Sequence, residues 1–441
     1  MELSLKRRTI LTRSAFFVMA MLFCTYFRVA FLLIYPLVVG LAFYAFNWKV
    51  NRSAHLILGL SFLFWLFSLR HGLFLTYNLV SFYYFVPLVL FIMASPTPVH
   101  SAGNNFRVFM MMLTVIGIVN DIAGIIQYIH QPGDDNFVGI YGHFTVSQNG
   151  LSILNGVLFF YYFSIYLRQK DTLSLVLLIL FLVSCVLGFY GAGQILLVCA
   201  IAGTFLKLRA KNIVIVLVVG SLTAVVVALL MKTISPLTYD YNIAVIRRFV
   251  NPDLAHAARK EIAFINYFKG YSHNLGDLLF GSSPGTFNSR TAFMVGSPTY
   301  FNIEWIKSAS KPYYFNYYAY PLWNPTNTGP YDGFMNQPFS TLLALAGEYG
   351  LIVTTALISF VILTFRRMSK VISRQIKFFD IGVEGNMFKF CWIYAMLLMV
   401  VDNFMEYPEV IALLLIIAKL SQQKIRFAVA SEHGRVQHAF A

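Results

Sequence analysis

The stretch HAARKEIAFINYFKG, residues 256–270, gathers His256, Arg259, Lys260, Glu261 and Lys269 in a chain of which only 12% is charged. The residues before it punctuate a helix. Asn251 suits the N-cap, Pro252 the first helical position and Asp253 the positive end, and Gly270 suits the exit. At about 100° per residue, Pro252, His256, Arg259, Ala263, Asn266 and Gly270 share one small, polar face. Lys260, Glu261 and Lys269 fall off that face and are expected at a lipid surface. The planar fork of arginine suits a phosphate through paired, charge-assisted bonds. Arg247 and Arg248 lie just upstream and are candidate helpers. Two readings stand here: a helix that grips an anionic ligand, or an amphipathic helix whose cations touch lipid headgroups.

Further candidates flank this segment. FGSSPGTFNSR, 280–290, is rich in Gly and Ser and can offer backbone N–H groups to an anion, or form a plain turn. It ends on Arg290, a weaker anion-binding candidate, as are Arg28 and Arg70. An aromatic run from Tyr300 to Trp323 includes Tyr314 and Tyr318. Such rings suit the apolar faces and hydroxyls of sugars, and equally a membrane interface. DNFMEYPEV, 402–410, holds Asp402, Glu406 and Glu409, either as a general base or as a wet loop. Asp121, Gln148, Asn149 and Gln194 are polar residues inside apolar runs, where a carboxylate is costly and functional by default. No His/Cys/Asp cluster has metal-ligand spacing, and Cys24, Cys185, Cys199 and Cys391 all sit in apolar runs as core residues.

The elements that position these residues are membrane spans. The 441 residues are 58% hydrophobic with a mean hydropathy of +0.69, far from the even balance of a soluble domain. Apolar runs predict about twelve spans, at 11–27, 29–46, 53–69, 77–94, 107–129, 144–167, 171–188, 190–207, 212–232, 337–365, 386–404 and 406–421. The net charge of +15 is not a nucleic-acid signal, because the basic residues concentrate in short loops of one side. That bias places both termini in the cytoplasm. The organisation expected is therefore spans one to nine over 1–232, a large external loop over 233–336, spans ten to twelve over 337–421, and a cytoplasmic tail over 422–441. A loop of that size is expected to carry helices of its own.

This pattern resembles the bacterial O-antigen polymerase/ligase superfamily, the Wzy-type polysaccharide polymerases and the O-antigen ligases. The likeness in topology covers nearly the whole chain. Polymerases of this group carry Arg-x10-Gly in a periplasmic loop, and Arg259 and Gly270 frame KEIAFINYFK in that way. Ligases carry a His, a polar residue, nine residues and Gly-x-x-small at the tenth span. In NQPFSTLLALAGEYG, Asn336, Gln337, Gly347 and Gly350 keep the spacing, but Asn336 replaces the histidine, which favours a polymerase. GSSPGTF and the closing DNFMEYPEV are also similar to stretches of the family.

The resemblance implies an all-α, GT-C-like membrane fold and a metal-independent glycosyl transfer at the periplasmic face of a bacterial inner membrane, with no cofactor. Donor and acceptor would be glycans on undecaprenyl diphosphate, joined into exopolysaccharide, capsule or O-antigen. Membrane lipid, a chain-length regulator and a flippase are further expected partners. Arg259 would stabilise the leaving diphosphate, with Arg247, Arg248, Asn266, Gly270, Arg290, Asn336 and Gln337 around the substrate. Tyr314, Tyr318 and Trp323 would line the glycan path. His256, Asp402 and Glu406 remain alternative bases. The rival functions are a ligase that moves finished glycan to a lipid acceptor, and a transporter or flippase of lipid-linked glycan.

Overall fold

A computed structural model describes residues 28–98, 102–131, 137–141, 147–188, 190–205, 259–296, 310–322, 340–375 and 381–439, with isolated positions between 229 and 243. The architecture is all-α. In chain order the helices are α1 (Arg28–Phe46), α2 (Arg52–Ser68), α3 (Leu75–Met93), α4 (Ala102–His130), α5 (Ser147–Gln169), α6 (Thr172–Leu187) and α7 (Gly191–Phe205). Then follow α8 (Arg259–Tyr271), α9 (Leu275–Phe280), α10 (Arg290–Gly296), α11 (Thr341–Glu348), α12 (Gly350–Gln375), α13 (Gly382–Val401) and α14 (Pro408–Ala439).

Among the described residues six segments are long and apolar enough to cross a membrane: Arg52–His71, Leu75–Met93, Asn104–His130, Asn149–Gln169, Gly350–Arg374 and Gly382–Val401. Tyr35–Phe46, Thr172–Leu187 and Gly191–Phe205 are shorter apolar helices. Their outward faces carry exposed Leu56, Ile129 and Leu173. Such surfaces need an apolar solvent, and helices satisfy their own backbone in it. The chain is a membrane-embedded helical protein. The expected span at 11–27 lies outside the described residues, as does that at 212–232 apart from Leu229 and Lys232.

Helix α14 is the central element. Val410 to Leu420 are buried without a gap, as a helix apolar on all sides must be when protein surrounds it. It packs on α13, α4 and α3. It continues unbroken to Ala439, so the described residues of the expected cytoplasmic tail are helical. At that end Lys419 donates to the carbonyls of Ile92 (2.7 Å) and Ala94 (2.8 Å), and Gln423 to those of Phe46 (2.8 Å) and Thr97 (2.9 Å). The Ile92, Ala94 and Phe46 carbonyls are ones that the ends of α1 and α3 leave open. A short antiparallel ribbon, β1 (Trp48–Val50) with β2 (Ala94–Pro96), lies there too.

The opposite, loop end departs from expectation. The span expected over 337–365 is two helices, α11 and α12, broken at Tyr349 and Gly350. Gly350 has φ 81°, and a Cβ there would lie 2.3 Å from the Leu279 carbonyl oxygen. Gly281, φ 87°, stands against the Glu348 carbonyl in the same way, at 2.4 Å. Two glycines let the chain after α9 lie backbone to backbone against the break.

Candidate functional site

The loop after α9 is built around a carboxylate. Gly285 N–H donates to Glu348 Oε2 at 2.7 Å, and Phe287 and Ser289 N–H both donate to Oε1 at 3.1 Å. The backbone N–H groups of the Gly/Ser-rich loop therefore close on a carboxyl group of the chain itself, that of Glu348. Asn78 of α3 fixes the same loop by donating to Ser283 Oγ (2.8 Å) and the Pro284 carbonyl (2.7 Å). Burial pushes the Glu348 carboxyl up to about 8, with the nearby Glu406 adding to the rise.

Next to this cradle, the DNFME turn between α13 and α14 receives Arg290. Asp402, Asn403 and Glu406 are buried there, so the turn is not a wet loop. Arg290 Nη2 donates to Asp402 Oδ2 at 2.8 Å, and the guanidinium sits 4.0 Å over the Tyr407 ring. Glu406 accepts from Arg290 N–H (2.5 Å), from Thr291 N–H (3.1 Å), and from the Thr291 hydroxyl and the Asn403 amide. Burial pushes Glu406 up to about 7, its hydrogen bonds and Arg290 opposing. Thr341, opening α11, locks the turn by donating N–H and Oγ1 to the Asp402 carbonyl, each at 3.1 Å. Tyr190, before α7, lies in the field of Asp402 and Arg290.

Lys260 completes the cluster and corrects an expectation. Its ammonium nitrogen is buried, not at a lipid surface. Burial pulls it down to about 8, while Asp402 raises it and Arg290 lowers it further. The buried residues of α8 are Ala263, Tyr267, Gly270 and Tyr271, and Lys260, Ala263, Tyr267 and Tyr271, spaced 3, 4 and 4, form one row along that side. Glu261 and Lys269 are exposed.

A second network docks α9 onto the end of α2. Asp277, fully buried, pairs with Arg70 and stands 2.8 Å from His71 Nε2. Tyr314 OH (2.6 Å) and Asn274 Nδ2 (2.7 Å) donate to its other oxygen. Burial pushes this carboxyl up, but the bonds from His71, Tyr314 and Arg70 outweigh it and hold Asp277 below its usual range. Tyr314 stacks on Tyr271 (4.2 Å between centroids), whose hydroxyl lies 2.8 Å from Ser282 Oγ in the cradle. The two networks are thus joined through packed rings.

The remaining expected site residues divide plainly. Arg259 is half-buried in the first turn of α8, beside Lys260. Asn266 donates to the Tyr318 carbonyl at 3.0 Å, and a Cβ at Gly270 would meet the Tyr318 ring at 3.1 Å. Both positions serve the packing of α8 on the short aromatic helix over 313–319, and Gly270, one residue before the last of α8, lies at its exit as expected. Tyr314 is buried and Tyr318 half-buried, whereas Tyr313 and Tyr317 of the same short helix are exposed. Gly347 and Gly350 admit the Phe287 ring and the Leu279 backbone. Arg247, Arg248, His256, Trp323, Asn336 and Gln337 lie outside the described residues. Sequence reasoning missed Lys260, Glu348, His71 and Asp277. The 3-4-4 stripe on α8 signals the first, and Glu348 sits inside the AGEYG stretch already singled out.

Among the described residues no three His, Cys, Asp or Glu side chains gather as metal ligands. What the arrangement offers is two cations, Lys260 and Arg290, and three carboxylates, Asp402, Glu406 and Glu348, at one end of a membrane bundle. No family model matches this chain, and no curated protein matches it.

Proposed function

We propose that this chain is a polysaccharide polymerase that joins undecaprenyl-diphosphate-linked oligosaccharide repeat units at the periplasmic face of a bacterial inner membrane. The observation that supports it is the placing of Lys260 and Arg290 with Asp402 and Glu406 under an aromatic helix, at the loop end of the bundle. Glycosyl transfer from a lipid diphosphate needs these groups. The acceptor hydroxyl oxygen bonds to the anomeric carbon of the donor, and the bond from that carbon to the diphosphate oxygen breaks. The leaving lipid diphosphate keeps the electron pair, and fixed cations stabilise its charge. Arg259 and Lys260, adjacent in the first turn of α8, are the groups proposed to meet it.

The acceptor proton needs a base. Glu406 is filled by four donors and Asp402 by Arg290 and the Asn403 N–H, so both suit the task of fixing the cations. Lys260, lowered only to about 8, keeps its charge at neutral pH for the diphosphate, which leaves His256 as the candidate base. Exposed Tyr313 and Tyr317 suit the apolar faces of the sugars.

The test uses the purified full chain with lipid-linked repeat units. A ladder of products is expected, and Arg259→Ala is expected to abolish it while the protein still reaches the membrane. A single added step would instead indicate a ligase, and movement across vesicles without bond formation a transporter.

A further inference from the structure

Asp121 and Asn155 take no part in the cluster above. Asp121 lies on α4 and Asn155 on α5, both fully buried within segments apolar enough to cross a membrane. Asn155 Nδ2 donates to Asp121 Oδ1 at 2.8 Å. The second oxygen of each group, Asp121 Oδ2 and Asn155 Oδ1, is buried without a hydrogen-bond partner among the described residues. Ser184 of α6 stands beside the carboxyl as its nearest hydroxyl donor, and that hydroxyl is buried with no closer hydrogen bond among the described residues. Two polar groups near Cys185 donate to its carbonyl, while Gln194 Oε1 is buried without a partner among the described residues. Ser152 Oγ donates to the Cys185 carbonyl at 3.0 Å, and Gln194 Nε2 to the same carbonyl at 2.9 Å. One turn along α4, Leu158 and Phe181 close on Gly117.

Counting donors and acceptors decides what this site holds. Two bare acceptors face one hydroxyl, which donates a single hydrogen. If Asp121 is ionised, one oxygen stays unsatisfied and a full negative charge stays uncancelled, at a depth where that costs several kcal/mol. A water molecule would serve the oxygens and leave the charge. No cation faces it among the described residues. The facing groups are Asn155 and Ser152 on α5, and Ser184 and the Cys185 thiol on α6, of which only the thiol titrates. A divalent ion is ill matched to one carboxylate.

We propose that Asp121 and Asn155 form an intramembrane proton-binding site, in which the neutral Asp121 acid donates from Oδ2 to Asn155 Oδ1 while the Asn155 amide donates to Asp121 Oδ1. One proton then satisfies both bare oxygens and removes the charge. This site stands independently of the polymerase reading.

Infrared spectroscopy of the purified full chain at neutral pH, in H2O and D2O, tests it. The expected result is a protonated-carboxyl C=O band that moves on deuteration and is missing from Asp121→Asn. Subtracting that variant separates Asp121 from the buried glutamates. Asn155→Ala should displace the band by removing its amide partner, and this second variant decides the matter if Asp121→Asn fails to fold. Where it folds, Asp121→Asn should keep near wild-type thermal stability, because an amide preserves both contacts. An Asp121 that is ionised in the wild type would overturn the proposal. So would thermal stabilisation by sodium over potassium that Asp121→Asn abolishes, which would make this a sodium site.

Discussion

Glu348 offers the sharpest structural perturbation. Its two oxygens accept three backbone N–H groups, one on Oε2 at 2.7 Å and two on Oε1 at 3.1 Å. Glu348→Gln keeps one carbonyl oxygen, which can serve Phe287 and Ser289, and turns an NH2 toward Gly285 N–H. One buried donor is then orphaned, at about 1–3 kcal/mol. Glu348→Ala orphans all three, so the loss should be on the order of 3–9 kcal/mol before any water enters. The cradle also carries Arg290 and Thr291 onto Glu406, so the larger loss should spread to the whole loop end. Thermal unfolding of the full chain in detergent, followed by hydrogen exchange over residues 281–291, measures both. The expected order is wild type, then Gln, then Ala, with faster exchange confined at first to the cradle amides. Equal stabilities for Gln and Ala, or wild-type exchange in Ala, would refute the claim that the loop is built around this carboxylate.

Other outcomes follow from the same contacts. Because burial raises Glu348 to about 8, its neutral form contributes stability that is full below the ordinary carboxylate range and is lost as pH rises through about 8. Thermal stability should fall over that window in the wild type and fall less in Glu348→Gln. Gly350→Ala forces a side chain onto φ 81° and into the Leu279 carbonyl at 2.3 Å. The left-handed conformation alone costs about 1–2 kcal/mol, so a loss above that is expected in a thermal melt, and none if the break is soft. Lys260→Met removes a buried charge at similar volume, so stability should hold within about 1 kcal/mol. Polymer formation, assayed on lipid-linked repeats, should fall at least about tenfold.

Much of the membrane frame is legible in the sequence because hydropathy alone sets it. The helices from α1 to α7, and α13, begin and end within a few residues of the apolar runs. The break between α11 and α12 is not legible, since Gly350 in an apolar run looks like any small residue until the Leu279 backbone is placed against it. Helix α8 is legible, and Ala263 and Gly270 of the expected face are buried, but its packed side is wider than that face. Tyr267 and Tyr271 bury more surface than Asn266 and Gly270, and their stripe carries Lys260 inward. The Gly-rich loop leaves two readings open in the sequence, exposed N–H groups for an anion or a plain turn, and in the fold its N–H groups close on a carboxyl group of the chain itself. That group, on Glu348, is some sixty positions away (|i−j| 59 to 63), and no local pattern pairs them. Likewise Arg70 and Asp277 are 207 positions apart, a contact that only the folded chain makes.

The central claim is glycan polymerisation by this chain alone. The most direct measurement incubates the purified protein with undecaprenyl-diphosphate-linked repeat units and resolves the products by length. The account predicts a ladder that grows with time, that Arg259→Ala abolishes and that Lys260→Met diminishes. Unchanged repeat units with the wild-type protein, or a full ladder with Arg259→Ala, would contradict it.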